Sequence, residues 1–196
     1  MKVNIPNILT ISRICLTPVF YFMLITNNPF YMATASVIFL IAALTDWFDG
    51  WYARKYNETS NSGAFLDPLA DKLLTSSALY AFYLLGLVEL WMVIIIIIRD
   101  FGTTFLRIIA EKNGHHLKTS FSAKFKTFYQ FTFITYILSI IFFENINMID
   151  IPKEFTSNIL YSDYTHYSFL ILTIFTVYTL IEYLFKSKHI FKANKN

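Results

Sequence analysis

Residues 45–72 read TDWFDGWYARKYNETSNSGAFLDPLADK and place four aspartates between two long apolar stretches. Asp46 and Asp49 are three residues apart, and Asp67 and Asp71 are four apart, so each pair shares one face of a helix. The first pair falls near the end of one predicted helix and the second near the start of the next. Both pairs are therefore expected at the same end of two neighbouring helices.

Four carboxylates gathered at the edge of a bilayer repel one another and are costly to hold there unless a cation binds between them. Oxygen-only ligands suit Mg²⁺ or Mn²⁺, and the segment contains neither His nor Cys to favour zinc. A solvated acidic loop is the alternative interpretation. The helical spacing, with the small residues Gly50 and Ala53 beside the first pair, favours a metal site.

The composition of the whole chain indicates a membrane protein. Of its 196 residues 56% are hydrophobic and only 15% charged, which is more apolar surface than a soluble domain of this size can bury. No nucleic-acid partner is expected. Six stretches are long and apolar enough to cross a bilayer, at roughly 8–27, 32–54, 68–87, 90–110, 125–143 and 166–186.

These stretches predict an all-α, integral membrane bundle of six transmembrane helices, forming a single domain over residues 1–196. A short segment before the first span, containing Pro6, is predicted to lie along the membrane interface. Asp67 is predicted to cap the third helix, with Pro68 at its first position. Residues 144–165 are predicted to be a connector.

The basic residues predict the orientation of the bundle. All of the 16 Lys and Arg residues except Lys153 fall in the termini or loops on one side of the predicted spans. By the positive-inside rule that side is the cytosol, with both termini inside the cell and the aspartates facing the cytosol.

The aspartate segment fits the pattern D-x2-D-G-x2-A-R-x8-G-x3-D-x3-D at every fixed position, and in this respect it resembles the CDP-alcohol phosphatidyltransferase family. The matching residues are Asp46, Asp49, Gly50, Ala53, Arg54, Gly63, Asp67 and Asp71. The resemblance implies a six-helix membrane fold, often a homodimer, in a bacterial cytoplasmic membrane. It also implies an enzyme in which an acceptor hydroxyl attacks the lipid-linked phosphorus of CDP-diacylglycerol and CMP departs.

The same resemblance implies the roles of individual residues. Two divalent ions, Mg²⁺ or Mn²⁺, would be held by Asp46, Asp49, Asp67 and Asp71. Asp71 would also act as the general base, and the CDP-linked lipid would be bound by Asp46, Gly50, Ala53, Arg54 and Gly63.

Two further stretches bear on the acceptor. Residues 4–20 (NIPNILTISRICLTPVF) and 99–127 (RDFGTTFLRIIAEKNGHHLKTSFSAKFKT) resemble the bacterial branch of the family that uses sn-glycerol 3-phosphate. A phosphate-bearing acceptor requires cations at the cytosolic face. The candidate phosphate-binding residues are Arg99, Arg107, Lys124 and Lys126.

Two alternatives stay open. Arg99 is followed by Asp100 where most of that branch has Glu, and the Arg-Asp pair also resembles cardiolipin synthases of the same superfamily, which use phosphatidylglycerol as acceptor. The acidic cluster is also compatible with a non-enzymatic transporter that binds a cation. A transporter would place its ionisable residues near the middle of the bilayer, whereas these gather at predicted helix ends.

Overall fold

The computed structural model describes residues 5–56, 61–112, 120–146 and 152–193, and side chains within 7–45, 48, 66–110, 120–146 and 152–185. These residues form helices and no strands. The seven helices are α1 (Ile5–Ile25), α2 (Pro29–Tyr56), α3 (Asn61–Leu84), α4 (Leu90–Lys112), α5 (Phe121–Asn145), α6 (Lys153–Leu160) and α7 (Asp163–Ala193).

The six long helices correspond one to one with the six predicted spans. Within the described residues, three stretches are long and apolar enough to cross a membrane: Asn7–Ile25, Phe121–Asn145 and Lys153–Phe185. A shorter apolar helical stretch covers Pro29–Thr45. The remaining helices carry charged residues along part of their length, which lowers their hydropathy, so six membrane crossings stay a prediction.

Helix α1 is central to one side of the bundle, because it packs against both α2 and α3. Helix α5 contacts α2 and α7, and α4 contacts α3 and α7. The predicted interfacial segment has no separate counterpart in the described residues, because α1 begins at Ile5 and continues without a break. Residues 1–4 lie outside the description.

The apolar core occupies one half of the bundle. It combines the C-terminal halves of α1, α3 and α5 with the N-terminal halves of α2, α4 and α7. Aromatic rings interlock there: the centroids of Phe133 and Phe169 are 4.8 Å apart at an interplanar angle of 90°, an edge-to-face contact. The other half of the bundle buries Arg13, Arg99, Asp100 and Lys126.

The turn between α3 and α4 lies at the apolar end. Gly86 adopts a φ of 75°, and the Leu87 amide donates to the Phe82 carbonyl at 2.9 Å, a bond that closes the end of a helix. The Tyr161 hydroxyl, just after α6, donates to the Leu85 carbonyl at 3.0 Å. The predicted connector therefore contains a helix, α6, and this segment braces the α3–α4 turn.

Candidate active site

Helix α3 carries two of the four aspartates, but its start differs from the prediction. The helix begins at Asn61, so Asp67 is not its N-cap and Pro68 lies inside it. The Asp67 carboxylate is used across the bundle instead: its Oδ1 accepts a hydrogen bond from the Thr10 hydroxyl of α1. The Asp67 side chain thus contacts another helix and does not cap α3, although its position before a proline predicted a cap.

Asp71 follows Asp67 by one helical turn and is paired with its neighbour. The Lys72 Nζ lies 3.1 Å from Asp71 Oδ2, and the Asp71 side chain remains 36% exposed, enough to reach a ligand. Both carboxylates therefore face polar surroundings at the same end of α3.

The other aspartates belong to the C-terminal part of α2. The backbone of Asp46, Asp49, Gly50, Ala53 and Arg54 is helical, but the positions of their side chains lie outside the described residues. Gly63, in the first turn of α3, likewise falls outside the described side chains.

Two of the four predicted metal ligands, Asp67 and Asp71, have described side chains. Among the side chains that the structure describes, no three His, Cys, Asp or Glu groups come together. The two that are described, Asp67 and Asp71, supply oxygen donors one turn apart. Carboxylate oxygens are the ligands that Mg²⁺ and Mn²⁺ prefer, so these residues fit such an ion.

A cavity of about 500 Å³ opens beside Asp71, between α1, α2, α3 and α5. Its volume is within the usual range for small-molecule sites. Three cationic side chains line it, Arg13, Lys72 and Lys124, together with Asp71 and the amide side chain of Gln130. The cavity therefore brings α2 and α3 to one space whose charge favours an anionic ligand.

Next to this cavity lies a buried charge cluster that joins α4 to α5. Lys126 is fully buried, and its Nζ donates to Asp100 Oδ1 at 2.6 Å and to Gln130 Oε1 at 2.5 Å. Arg99 NH1 donates to the same Asp100 oxygen at 3.1 Å. Lys72 also interacts electrostatically with Asp100, which links this cluster to the Asp71 pair.

Comparison with known proteins identifies the family of the chain. The sequence profile described as CDP-alcohol phosphatidyltransferase matches residues 3–178. The chain belongs to the CDP-alcohol phosphatidyltransferase family. Together with its long apolar helices, this membership makes it a multi-pass membrane protein.

Several named relatives are similar to part of the sequence. Over 147 residues the phosphatidyltransferase is 38% identical to the CDP-diacylglycerol–glycerol-3-phosphate 3-phosphatidyltransferase of Bacillus subtilis (strain 168), covering 69% of this chain and 76% of that protein. A protein named probable phosphatidylglycerophosphate synthase, from Mycobacterium tuberculosis (strain CDC 1551 / Oshkosh), is 39% identical over 130 residues, 65% of this chain and 62% of that one.

A third relative, the CDP-diacylglycerol–glycerol-3-phosphate 3-phosphatidyltransferase of Escherichia coli (strain K12), is 46% identical over 82 residues, 40% of this chain and 43% of that one. The match spans less than two thirds of the length of the Mycobacterium tuberculosis and Escherichia coli proteins.

The cations expected to bind an acceptor phosphate lie in different surroundings in this phosphatidyltransferase. Lys124 lines the cavity, whereas Lys126 and Arg99 lie beside it and contact Asp100. Arg107 is on α4, two turns beyond Arg99, and is not among the described residues that line the cavity.

Lys72 and Gln130 are among the cavity residues that the sequence did not single out as site candidates. Lys72 entered the prediction only as one of the basic residues that indicate the orientation in the membrane, although it directly follows Asp71. Gln130 follows Lys126 by four residues, a spacing that places two side chains together on one helix face. That spacing was the available signal for Gln130.

Proposed function

We propose that the protein transfers the phosphatidyl group from CDP-diacylglycerol to sn-glycerol 3-phosphate, forming phosphatidylglycerophosphate and releasing CMP. Family membership supports the donor and the type of reaction. The names of the Bacillus subtilis and Escherichia coli relatives support the acceptor. The observation that carries the proposal is a cavity in which the candidate base Asp71 lies among Arg13, Lys72 and Lys124.

The reaction makes separate demands on these residues. The acceptor hydroxyl oxygen forms a bond to the lipid-linked phosphorus, the bond from that phosphorus to the CMP oxygen breaks, and the hydroxyl proton moves to a base. A half-exposed carboxylate at Asp71 can accept that proton when it lies within hydrogen-bond reach. Arg13, Lys72 and Lys124 attract the anionic substrates and hold them in the cavity.

Enzymes of this family generally depend on divalent metal ions. We propose that Asp46, Asp49, Asp67 and Asp71 hold two ions, Mg²⁺ or Mn²⁺. When bound, such ions neutralise the charge of the pyrophosphate and stabilise the departing phosphate. The contact from Thr10 leaves the second oxygen of Asp67 available for a metal.

The CDP-linked lipid would be bound beside these ions by Asp46, Gly50, Ala53, Arg54 and Gly63. The absent side chains of the glycines leave room for the nucleotide, and the guanidinium of Arg54 can pair with its phosphates.

We also propose the arrangement in the membrane: one domain with six crossings, both termini and the cavity on the cytosolic side of a bacterial inner membrane, and a homodimer. The distribution of Lys and Arg supports this orientation. Single cysteines placed at Lys153 and near the C-terminus should react oppositely with a membrane-impermeant thiol reagent in intact cells. Cross-linking in membranes tests the dimer.

An acceptor panel tests the function itself. Purified protein with radiolabelled CDP-diacylglycerol and Mg²⁺ is offered glycerol 3-phosphate, phosphatidylglycerol, serine, inositol or inositol phosphate. We expect CMP release with glycerol 3-phosphate and a product that migrates as phosphatidylglycerophosphate. Cardiolipin formed from phosphatidylglycerol would move the protein to the alternative branch, which the names of the relatives do not favour. CMP release with none of them would favour a non-enzymatic cation-binding membrane transporter.

The aspartates give the matched controls for this assay. Asp49→Asn and Asp67→Asn should abolish CMP release while the protein still elutes as a folded species in detergent, because the change removes a ligand charge and little volume. Near-native turnover in either variant would contradict the metal assignment.

A further inference from the structure

Lys126 is a cation of the site whose charge is already paired with a buried carboxylate. The side chain is fully buried, Asp100 Oδ1 lies 2.6 Å from its Nζ, and Asp100 is itself only 3% exposed. A buried ammonium requires such a partner, because removing it from water costs several kcal/mol. Lys126 is also not among the described residues that line the cavity. Lys126 would therefore influence a bound ligand through another side chain.

That side chain is Gln130. Lys126 Nζ lies 2.5 Å from Gln130 Oε1. An ammonium group only donates hydrogen bonds, so the amide atom that faces it must be the carbonyl oxygen. The contact therefore fixes which way the amide is turned, a choice that an isolated glutamine leaves open.

The fixed orientation leaves the amide nitrogen for the cavity. Gln130 lines the cavity while only 4% of its surface is exposed, and none of the hydrogen bonds among the described residues uses its Nε2. A nearly buried amide that carries two N–H groups favours a ligand that accepts hydrogen bonds.

The surrounding charge indicates the chemical class of that ligand. Arg13, Lys72 and Lys124 line the same cavity, so its occupant is expected to be an anion. Phosphate oxygens accept hydrogen bonds from amide groups and pair with Lys and Arg. A neutral donor adds directional selectivity that point charges lack.

We propose that Gln130 determines acceptor specificity: its amide N–H groups recognise the phosphate of the acceptor, and Lys126 holds the amide in the donating orientation. Asp100, which also accepts a hydrogen bond from Arg99, keeps Lys126 in place. This inference rests on the proposed function for the presence of a phosphate-bearing acceptor. Gln130 is thus a binding residue, and Lys126 and Asp100 are positioning residues.

Gln130→Met tests the binding residue, because methionine is linear and of similar size but has no amide donor. The KM for glycerol 3-phosphate should rise about 10- to 100-fold, the loss expected for a hydrogen bond to a charged group. The KM for CDP-diacylglycerol and kcat should stay within about threefold, since the residues proposed to bind the donor, on α2 and in the first turn of α3, are unchanged. Thr135→Val is the matched control on the same helix, because the Thr135 hydroxyl donates only to the Phe131 carbonyl of its own helix.

Gln130→Glu separates donation from packing. A carboxylate keeps an acceptor for Lys126, and so preserves the buried contact, but it offers no donor and repels phosphate. The KM for glycerol 3-phosphate should rise at least as far as in Gln130→Met, while the KM for CDP-diacylglycerol stays within about threefold. Unchanged KM for glycerol 3-phosphate in both variants would overturn the assignment, as would an equal change in both KM values and kcat.

A double-mutant cycle tests the positioning role. If Lys126 acts through Gln130, then Lys126→Met should raise the KM for glycerol 3-phosphate in wild type and add little in Gln130→Met. Additive effects would overturn the positioning role of Lys126. Should Lys126→Met not be recovered folded, the comparison of Gln130→Met with Gln130→Glu decides the proposal alone. Absence of any product from glycerol 3-phosphate in the wild-type protein would instead refute the proposed function and the acceptor assignment with it.

Discussion

The buried cluster of α4 and α5 predicts an asymmetric loss of stability. Asp100 Oδ1 accepts from Arg99 and from Lys126, whose side chains are 7% and 0% exposed. Asp100→Asn would therefore leave two buried cations without their counter-charge. Breaking a buried pair in this way costs about 3–5 kcal/mol, because the remaining charge stays desolvated.

Lys126→Met should cost less, because it removes one of the buried charges and Asp100 keeps its contact with Arg99 at 3.1 Å. The loss is then that of a charge-assisted hydrogen bond, about 1.5–3 kcal/mol, offset in part by the desolvation that methionine avoids. At about 2–4 °C per kcal/mol for a chain of this length, Asp100→Asn should lower Tm by about 6–20 °C and Lys126→Met by at most about 12 °C.

The assay is thermal unfolding in one detergent at one scan rate, followed by tryptophan fluorescence. Glu154→Gln changes an exposed carboxylate in the first turn of α6; it is the control and should shift Tm by no more than about 4 °C. The reasoning is refuted if Asp100→Asn is as stable as the control, or if Lys126→Met is the less stable of the two variants.

Three further predictions concern the metal ligands, the base and the α3–α4 turn. Thr10→Val removes the hydrogen bond to Asp67 Oδ1, so the Mg²⁺ concentration for half-maximal activity should rise several-fold with little change in Tm; an unchanged metal titration would contradict this role. Asp71→Asn should lower kcat far more than it raises the KM for CDP-diacylglycerol, and the reverse pattern would indicate a purely structural role. Gly86→Ala should lower the free energy of unfolding by about 1–2 kcal/mol, because alanine is strained at a φ of 75°. A steric clash does not contribute, since the atom nearest to an added Cβ, on the Tyr161 ring, is 4.0 Å away. An unchanged Tm would exclude strain at this position.

Most ends of the six long helices could be predicted from the sequence to within a few residues, because long apolar stretches mark them directly; the start of α3 and the end of α7 differ by seven residues. Helix α4, predicted at 90–110, is observed at Leu90–Lys112. The start of α3 was wrong because the Asp-Pro pair is a strong local signal for a helix start, whereas the helix begins at Asn61, in a polar stretch with no apolar periodicity. Helix α6 was missed because its eight residues are too short and too polar to resemble a span.

The site could be predicted in its chemistry but not in its full membership. The spacing of four residues predicted that Asp67 and Asp71 lie together, because residues within one helix have known relative positions. Lys126 and Asp100 come from different helices, and their contact depends on how α4 and α5 are placed in the bundle. For that reason the sequence could count Lys126 among the phosphate-binding cations but could not show that its ammonium is already paired.

The location of the polar residues indicates that the site lowers the stability of the bundle. The apolar cluster fills one half, where Phe82, Phe133 and Phe169 pack without polar partners. In the other half, buried charges are a poor source of stability, because their desolvation offsets much of their attraction. A bundle under selection for stability alone would be expected to fill that half with apolar side chains too. Asp100 pairs with Arg99 and Lys126, which are not among the described residues that line the cavity, whereas Arg13, Lys72 and Lys124 line it beside Asp71. The fold therefore pairs one set of cations with a buried carboxylate and places another set along the wall of an open space.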